Sequence, residues 1–324
     1  MGNASDAVAL PLSAPPAFPT SSVSDLPLAL DLHFLGAPHV LATGLLRTDD
    51  GVLLVDPGPS TALGALEAAL EQAGHGWGDV RALLLTHIHL DHAGATGTLV
   101  REHGVPVYVH HLGAKHLARP ERLLASAKRL YGDLMDPLWG AFEAVPESHL
   151  RPLDGGETIR VGGRVLDVAY TPGHAVHHVS YFDRASRTAF VGDTVGMACP
   201  PSGRVLPVTP PPDIDLAAFQ RSFETIGAWE PERLFRTHFG LSSTPAADVK
   251  ACHDALLAWA EQVEADLRSE SDPAAAAAQF SERVLDRLEA EIGEDAAEPY
   301  RAFLYPDASW HGLARALRRS APSP

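Results

Sequence analysis

The reading of this chain turns on Thr86-His87-Ile88-His89-Leu90-Asp91-His92-Ala93-Gly94, which follows directly on the apolar run Ala82-Leu83-Leu84-Leu85. That run reads as a buried strand, being too short and too bare of polar residues for a surface helix. Four side chains able to bind metal then arrive within six positions. His87 and His89 stand two apart, so in extended backbone they share one side. Asp91 and His92 are adjacent, point different ways and suit a second ion. Ala93 and Gly94 are small and leave room where the loop turns into a helix. One histidine in such a place is more often a satisfied polar residue than a ligand, but four such residues straight after a buried strand are harder to dismiss. The pattern is not the helical H-E-x-x-H arrangement, in which two histidines are four apart with a Glu between them.

Four more stretches lie on either side. Upstream, Val52-Leu53-Leu54-Val55-Asp56-Pro57-Gly58 is an apolar run closed by an acid and a turn. Downstream, Thr171-Pro172-Gly173-His174 follows the strand-like Arg164–Tyr170. Phe190-Val191-Gly192-Asp193-Thr194 ends another apolar run, and Leu234-Phe235-Arg236-Thr237-His238-Phe239-Gly240 ends a fourth.

Taken in order, the five stretches resemble the motifs of the metallo-β-lactamase-fold superfamily, Thr86–Gly94 matching its H-x-H-x-D-H motif, and within it a glyoxalase II-like and lactonase-like branch. They cover about residues 30 to 240. The resemblance implies an α/β fold of two mixed sheets face to face with helices outside, a four-layer αβ/βα sandwich with metals at one edge. It also implies the ligands: His87, His89 and His174 for one ion, Asp91, His92 and His238 for a second, and Asp193 bridging both. A carboxylate suits the bridge because it puts two oxygens and one negative charge between two dications. Two ions ~3.5–4 Å apart share a water and depress its pKa from about 15.7 towards neutrality, so the bridging hydroxide becomes the nucleophile. Asp91 would also hold or shuttle the nucleophile's proton, which makes it the candidate catalytic residue. Asp56 would support the metal loop or cap its turn. Histidine and carboxylate ligands suit two zinc ions first, with iron or manganese compatible.

Composition narrows the partners. The net charge of -16 argues against nucleic acid, whose binders normally present a basic face. Two distant cysteines, Cys199 and Cys252, form neither a disulfide framework nor a thiolate zinc site. No apolar run approaches the ~20 residues of a membrane span. The N-terminus lacks the basic and apolar regions of a signal peptide, so a cytoplasmic location is expected. The expected partner is a small-molecule substrate.

Residues 1–27, rich in Pro, Ser and Ala, read as a disordered arm, 28–244 as the catalytic domain and 245–324 as a helical C-terminal domain that covers the pocket or forms a homodimer. Strands are expected at 30–35, 40–46, 52–55, 80–85 and 105–109, with the turn Thr48-Asp49-Asp50-Gly51 joining the second and third. Gly113 to about Gly140 reads as helical and basic, with Lys115, His116, Arg119, Arg122, Lys128 and Arg129; in the resembled superfamily this interval often walls the substrate pocket. Tyr131, Met135, Trp139 and Phe142 would line that pocket or pack the core. Pro200–Pro212, with six prolines, reads as a stiff loop without ladder bonding that rims the mouth or connects elements. Helices are expected at 246–267, 273–292 and 297–317.

Three functional readings follow. The first is a dinuclear-metal hydrolase acting on a thioester, lactone or phosphoester. The second is a mononuclear iron enzyme like the persulfide dioxygenases, which share the histidine at position 89; diiron oxygen-reducing relatives have Glu there. The third is a non-catalytic binding protein on the same fold, against which the complete ligand set speaks. His178 and Tyr181 stand at glyoxalase II-like spacing, His178 reading as support, whereas His177 replaces the Gly of that pattern. The C-terminal region also lacks the Asn-Pro-Phe-type segment and Arg-x-x-Lys cluster associated with glutathione binding in glyoxalase II.

Overall fold

The computed structural model describes residues 26–269, 272–303 and 305–320; the expected N-terminal arm therefore lies outside the described residues except for Leu26 and Pro27. In chain order the strands are β1 (Leu28–Asp31), β2 (Ala42–Arg47), β3 (Val52–Val55), β4 (Val80–Leu84), β5 (Val107–His110), β6 (Leu150–Leu153), β7 (Thr158–Val161), β8 (Arg164–Tyr170), β9 (Val179–Asp183), β10 (Thr188–Phe190), β11 (Met197–Cys199), β12 (Arg204–Leu206), β13 (Arg233–Arg236) and β14 (Gly240–Ser242). The helices are α1 (Leu63–Gln72), α2 (Leu90–Ala93), α3 (Thr96–His103), α4 (His111–Ala118), α5 (Glu121–Tyr131), α6 (Met135–Trp139), α7 (Leu216–Ala228), α8 (Pro245–Arg268), α9 (Pro273–Ile292), α10 (Glu294–Phe303) and α11 (Pro306–Ser320).

One six-stranded sheet runs β1-β2-β3-β4-β5-β6, antiparallel up to β3 and parallel from there on. The other runs β14-β13-β10-β9-β8-β7, with β10 and β13 its parallel pair. Side chains alternate across a strand, so each apolar run feeds two cores. In β3, Leu53 and Val55 face the opposite sheet while Val52 and Leu54 face helices. In β4, Ala82 and Leu84 point inward and Leu83 outward. The inter-sheet core joins these to Leu166, Tyr181, Phe190 and Phe235, and the Tyr181 hydroxyl donates to the Leu85 carbonyl at 2.8 Å across the gap. Leu66, Leu70 and Leu99 of α1 and α3 cover the first sheet's outer face. Phe219, Leu256, Phe280 and Trp310 of α7, α8, α9 and α11 cover the second's. The result is the expected αβ/βα sandwich with a helical C-terminal extension, and that extension shares its hydrophobic core with the second sheet. Among the described residues, no helix is long and apolar enough to cross a membrane.

Several local expectations are corrected. The strand expected at 30–35 stops at Asp31, whose carboxylate accepts the backbone N–H groups of His33 and His39 and turns the chain away. The basic segment after Gly113 is a series of helices, because Pro120 cannot donate to a preceding turn and Gly132 breaks the next. The helix expected at 297–317 is two helices, since Pro306 has no N–H to continue α10 and instead opens α11. The proline-rich segment does contain ladder bonding. Its proline-free stretch Arg204–Leu206 retains N–H donors and pairs with Met197–Cys199.

Candidate metal centre

All the candidate ligands leave strand ends at one edge of the sandwich. The loop after β4 carries His87 and His89, and the short helix α2 carries Asp91 and His92. His174 follows β8, Asp193 follows β10 and His238 follows β13. The seven fall into two groups, His87 with His89 and His174, and Asp91 with His92, Asp193 and His238. Within each group the available donor atoms lie within 4.8 Å of one another.

In the first group, Nδ1 of His89 lies 3.0 Å from Nε2 of His87 and 2.8 Å from Nε2 of His174. Nitrogens bound tetrahedrally at about 2.05 Å to one zinc would stand roughly 3.3 Å apart, close to this spacing. In the second group, Nε2 of His92 is 3.5 Å from Asp91 Oδ2 and 3.2 Å from Asp193 Oδ1. Nε2 of His238 is 3.2 Å and 3.5 Å from the same two oxygens. Asp193 divides its carboxylate: Oδ1 faces the second group, and Oδ2 lies 3.4 Å from His174 and 3.9 Å from His87 in the first. His92 Nε2 and Asp193 Oδ1 are buried and have no hydrogen-bond partner. Buried polar atoms normally have one, so an orphaned nitrogen–oxygen pair of this kind fits a shared cation.

The remote ring nitrogens are tied down, which aims the others inward. His174 Nδ1 donates to the Val208 carbonyl at 2.8 Å, and His238 Nδ1 to the Val40 carbonyl at 3.1 Å. His92 Nδ1 donates to Asp56 Oδ2 at 2.8 Å. That carboxylate also accepts the Thr86 backbone N–H and the hydroxyls of Thr86 and Thr237. Asp56 thus supports the metal loop, the first of its two sequence readings. His178 supports as well: its Nε2 accepts the Asp193 backbone N–H at 3.3 Å, while Nδ1 faces the Thr171 hydroxyl at 3.0 Å. Thr86 and Thr237 carry no signal of their own in the sequence beyond standing beside His87 and His238.

Burial governs the electrostatics. Desolvation, reinforced by neighbouring imidazoles, holds His87 well below the ordinary histidine range and lowers His89 to about 3, leaving both neutral as metal ligation requires. Burial would lower His92 too, but the charges of Asp193, Asp91 and Asp56 outweigh it and push that group well up. Conversely, burial opposes ionisation of Asp193, yet His92, His238 and His174 hold it well below the usual carboxylate range. The second group is therefore an acid-rich pocket that recruits positive charge.

A model of the metallo-beta-lactamase superfamily matches residues 40–238. The chain belongs to that superfamily. A metallo-beta-lactamase fold-containing protein of Sulfurisphaera tokodaii is 30% identical over 164 residues, 50% of this chain and 61% of that protein. A hydroxyacylglutathione hydrolase of Methylobacterium nodulans is 33% identical over 179 residues, 52% of this chain and 56% of that enzyme. The chain thus spans little more than half the length of these relatives. A solved metallo-beta-lactamase family protein from Thermus thermophilus shares the fold, with a TM-score of 0.66 at 23% identity over 91% of this chain and 93% of that one.

On this metallo-beta-lactamase fold a cavity of about 710 Å³ opens onto the centre, reaching His89, Asp91, His174, Asp193 and His238. Tyr131 and Trp139 line it and also pack on the first sheet's outer core, whereas Met135 and Phe142 only pack there. Pro207 and Pro210–Pro212 form part of its wall. Tyr305, Ala308 and Arg315 bring the last helical segment to the same cavity, a contribution that no local sequence pattern announced.

Proposed function

We propose that this superfamily member is a hydrolase that works with two divalent ions, zinc first, on a small ester-like substrate: a thioester, lactone or phosphoester. The observation that carries the proposal is the divided carboxylate of Asp193, one oxygen towards each ligand group. Two bound ions supply a water acidified towards neutrality and a Lewis acid for the substrate's carbonyl or phosphoryl oxygen. In this reading His87, His89 and His174 hold one ion, Asp91, His92 and His238 hold the other, and Asp193 spans both.

The chain's own groups do the rest. Asp91, which borders the cavity, would hold the proton given up by the attacking water. Asp56, Val40 and Val208 keep the ligating imidazoles in one tautomer. Tyr131 lines the cavity, and burial, then the charge of Asp91, pushes its phenol well above the ordinary tyrosine range, so it stays a hydrogen-bond donor. Its role is to donate to the oxygen on which negative charge develops.

Metal analysis of protein purified without added metal, followed by a panel of thioesters, lactones and phosphodiesters, tests the proposal. About two zinc per chain and hydrolysis of one class are expected; a single iron with oxygen consumption would instead establish the persulfide dioxygenase-like reading. Asp193→Ala is expected to abolish turnover and lower metal content. Full activity in that variant overturns the bridging role.

A further inference from the structure

The candidate metal centre borders this cavity, and part of the remaining wall has a charge opposite to that of the protein. Lys115 on α4 and Arg122 and Arg129 on α5 line that part. Among the described residues, none of the three side chains makes an ion pair or hydrogen bond. Other surface cations do find acids: Arg101 pairs with Glu143, Arg119 with Glu147 and Arg184 with Asp167. With 41 acidic residues against 25 Lys and Arg, acids are not scarce in this chain. Away from the metal ligands, the acids on the cavity wall are Asp213 and Asp307, against these three cations and Arg315, whose Nε donates to the Pro212 carbonyl at 3.2 Å.

His177 and His116 make the connection between patch and centre. His177 is 8% exposed, its ring centroid lies 5.5 Å from that of His89, and its Nδ1 has no hydrogen-bond partner. His116 lines the same cavity and lies within electrostatic reach of His177 on one side and of Lys115 and Arg122 on the other. A polar path therefore runs from the ligating histidines to the unpaired cations.

We propose that the cavity takes a substrate whose non-reacting end carries an anionic group, a carboxylate or a phosphate, held by Lys115 and Arg122 while its ester-like bond lies at the metal centre. The second half of this statement rests on the hydrolase reading; the anion subsite does not. Both cations are exposed, so their attraction for an anion is weakened by water and salt, and the pair together is worth about tenfold in affinity.

The test is equilibrium binding to the metal-loaded full chain of three uncleavable S-alkyl thioethers, ending in a carboxylate, a phosphate or an N-methyl amide. At least one anion is expected to bind about tenfold more tightly than the amide, and which one identifies the source of the charge. Lys115→Gln combined with Arg122→Gln is expected to bring the anion-to-amide ratio close to one. Lys128→Gln, an exposed residue of α5 away from the cavity, is expected to leave the ratio as it was. Raising salt from about 50 mM to about 500 mM shortens the Debye length and is expected to shrink the ratio in the unmodified protein, a readout independent of any variant's folding. Equal binding of the three compounds, or an anion preference that survives the double substitution, overturns the proposal. Anion preference without hydrolysis of any panel member removes the hydrolase reading alone; hydrolysis without anion preference removes the subsite alone.

Discussion

Replacing Asp56 with Asn changes one atom type at the most heavily used acceptor beside the metal centre. The side chain is fully buried and accepts four hydrogen bonds. Its Oδ1 takes the Thr86 backbone N–H at 2.8 Å, while Oδ2 takes the hydroxyls of Thr86 and Thr237 at 2.7 Å each and His92 Nδ1 at 2.8 Å. Asparagine matches the shape and tolerates the φ of 53° at this position, so the backbone adds no penalty. Its amide, however, offers one acceptor oxygen and one donor nitrogen. If the nitrogen faces Thr86, a donor meets a donor and a buried N–H is orphaned. If it faces the other three groups, the hydroxyls can rotate to accept, but His92 must move its proton to Nε2, the atom that faces Asp91 and Asp193. An orphaned buried donor costs about 1–3 kcal/mol, and weakening the charge-assisted bonds adds to this, so the expected loss is about 3 kcal/mol. At roughly 2 °C per kcal/mol for a chain of this size, the melting temperature falls by about 6 °C. Loss of the correct His92 tautomer lowers metal affinity by about 10–100-fold. Thermal unfolding and chelator competition measure the two effects separately. A variant within about 0.5 kcal/mol of the parent that keeps the parent's metal content would reduce Asp56 to a turn cap.

Two further substitutions probe the cavity wall and the helical extension. Tyr131→Phe keeps the ring packed against Trp139, 5.1 Å away, and removes only the hydroxyl; kcat is expected to fall about 10²-fold with metal content unchanged, and an undiminished kcat removes Tyr131 from the reaction. Trp310→Ala deletes a side chain that is 1% exposed and donates from Nε1 to Asp266 at 2.9 Å, joining α11 to α8; denaturant unfolding should show a loss of about 3–5 kcal/mol, and a loss below about 1 kcal/mol would mean that α11 is not part of the core.

What could be read from the sequence follows from how many residue types each position tolerates. Metal ligands come from few residue types, so His87, His89, Asp91 and His92 stand out within a single turn of chain. The convergence of His174, Asp193 and His238 on them depends on β8, β10 and β13 lying in a different sheet from β4, which spacing along the chain does not encode; the resemblance supplied it. The strand β3 was legible to the residue because a run covered on both faces must be apolar throughout. At Pro120 and Pro306 the proline signal competes with helix-favouring composition on either side, and proline decides the break. The approach of α11 to the cavity had no local signal: amphipathic period tells which face of Asp307–Arg315 is apolar, not which pocket the other face will border.

The Asp56 network also explains why the centre belongs to the sandwich as a whole rather than to one loop. Asp56 lies at the end of β3, His92 on α2 and Thr237 between β13 and His238, yet all three meet at one carboxylate oxygen, Oδ2 of Asp56. Thr237 is 181 residues from Asp56 along the chain. The ladder of each sheet and the packing of Leu53, Leu84 and Phe235 between them set where these strand ends fall relative to one another. An unfolded chain has no such spacing, so under the proposed reading ligation and folding draw on the same arrangement. An ion present at about 100 times its Kd for the folded state adds about 2.7 kcal/mol to stability, comparable to the loss expected for Asp56→Asn. Under this coupling, a substitution between the sheets weakens metal binding without touching a ligand, and a lost ligand loosens the sheets without touching the core.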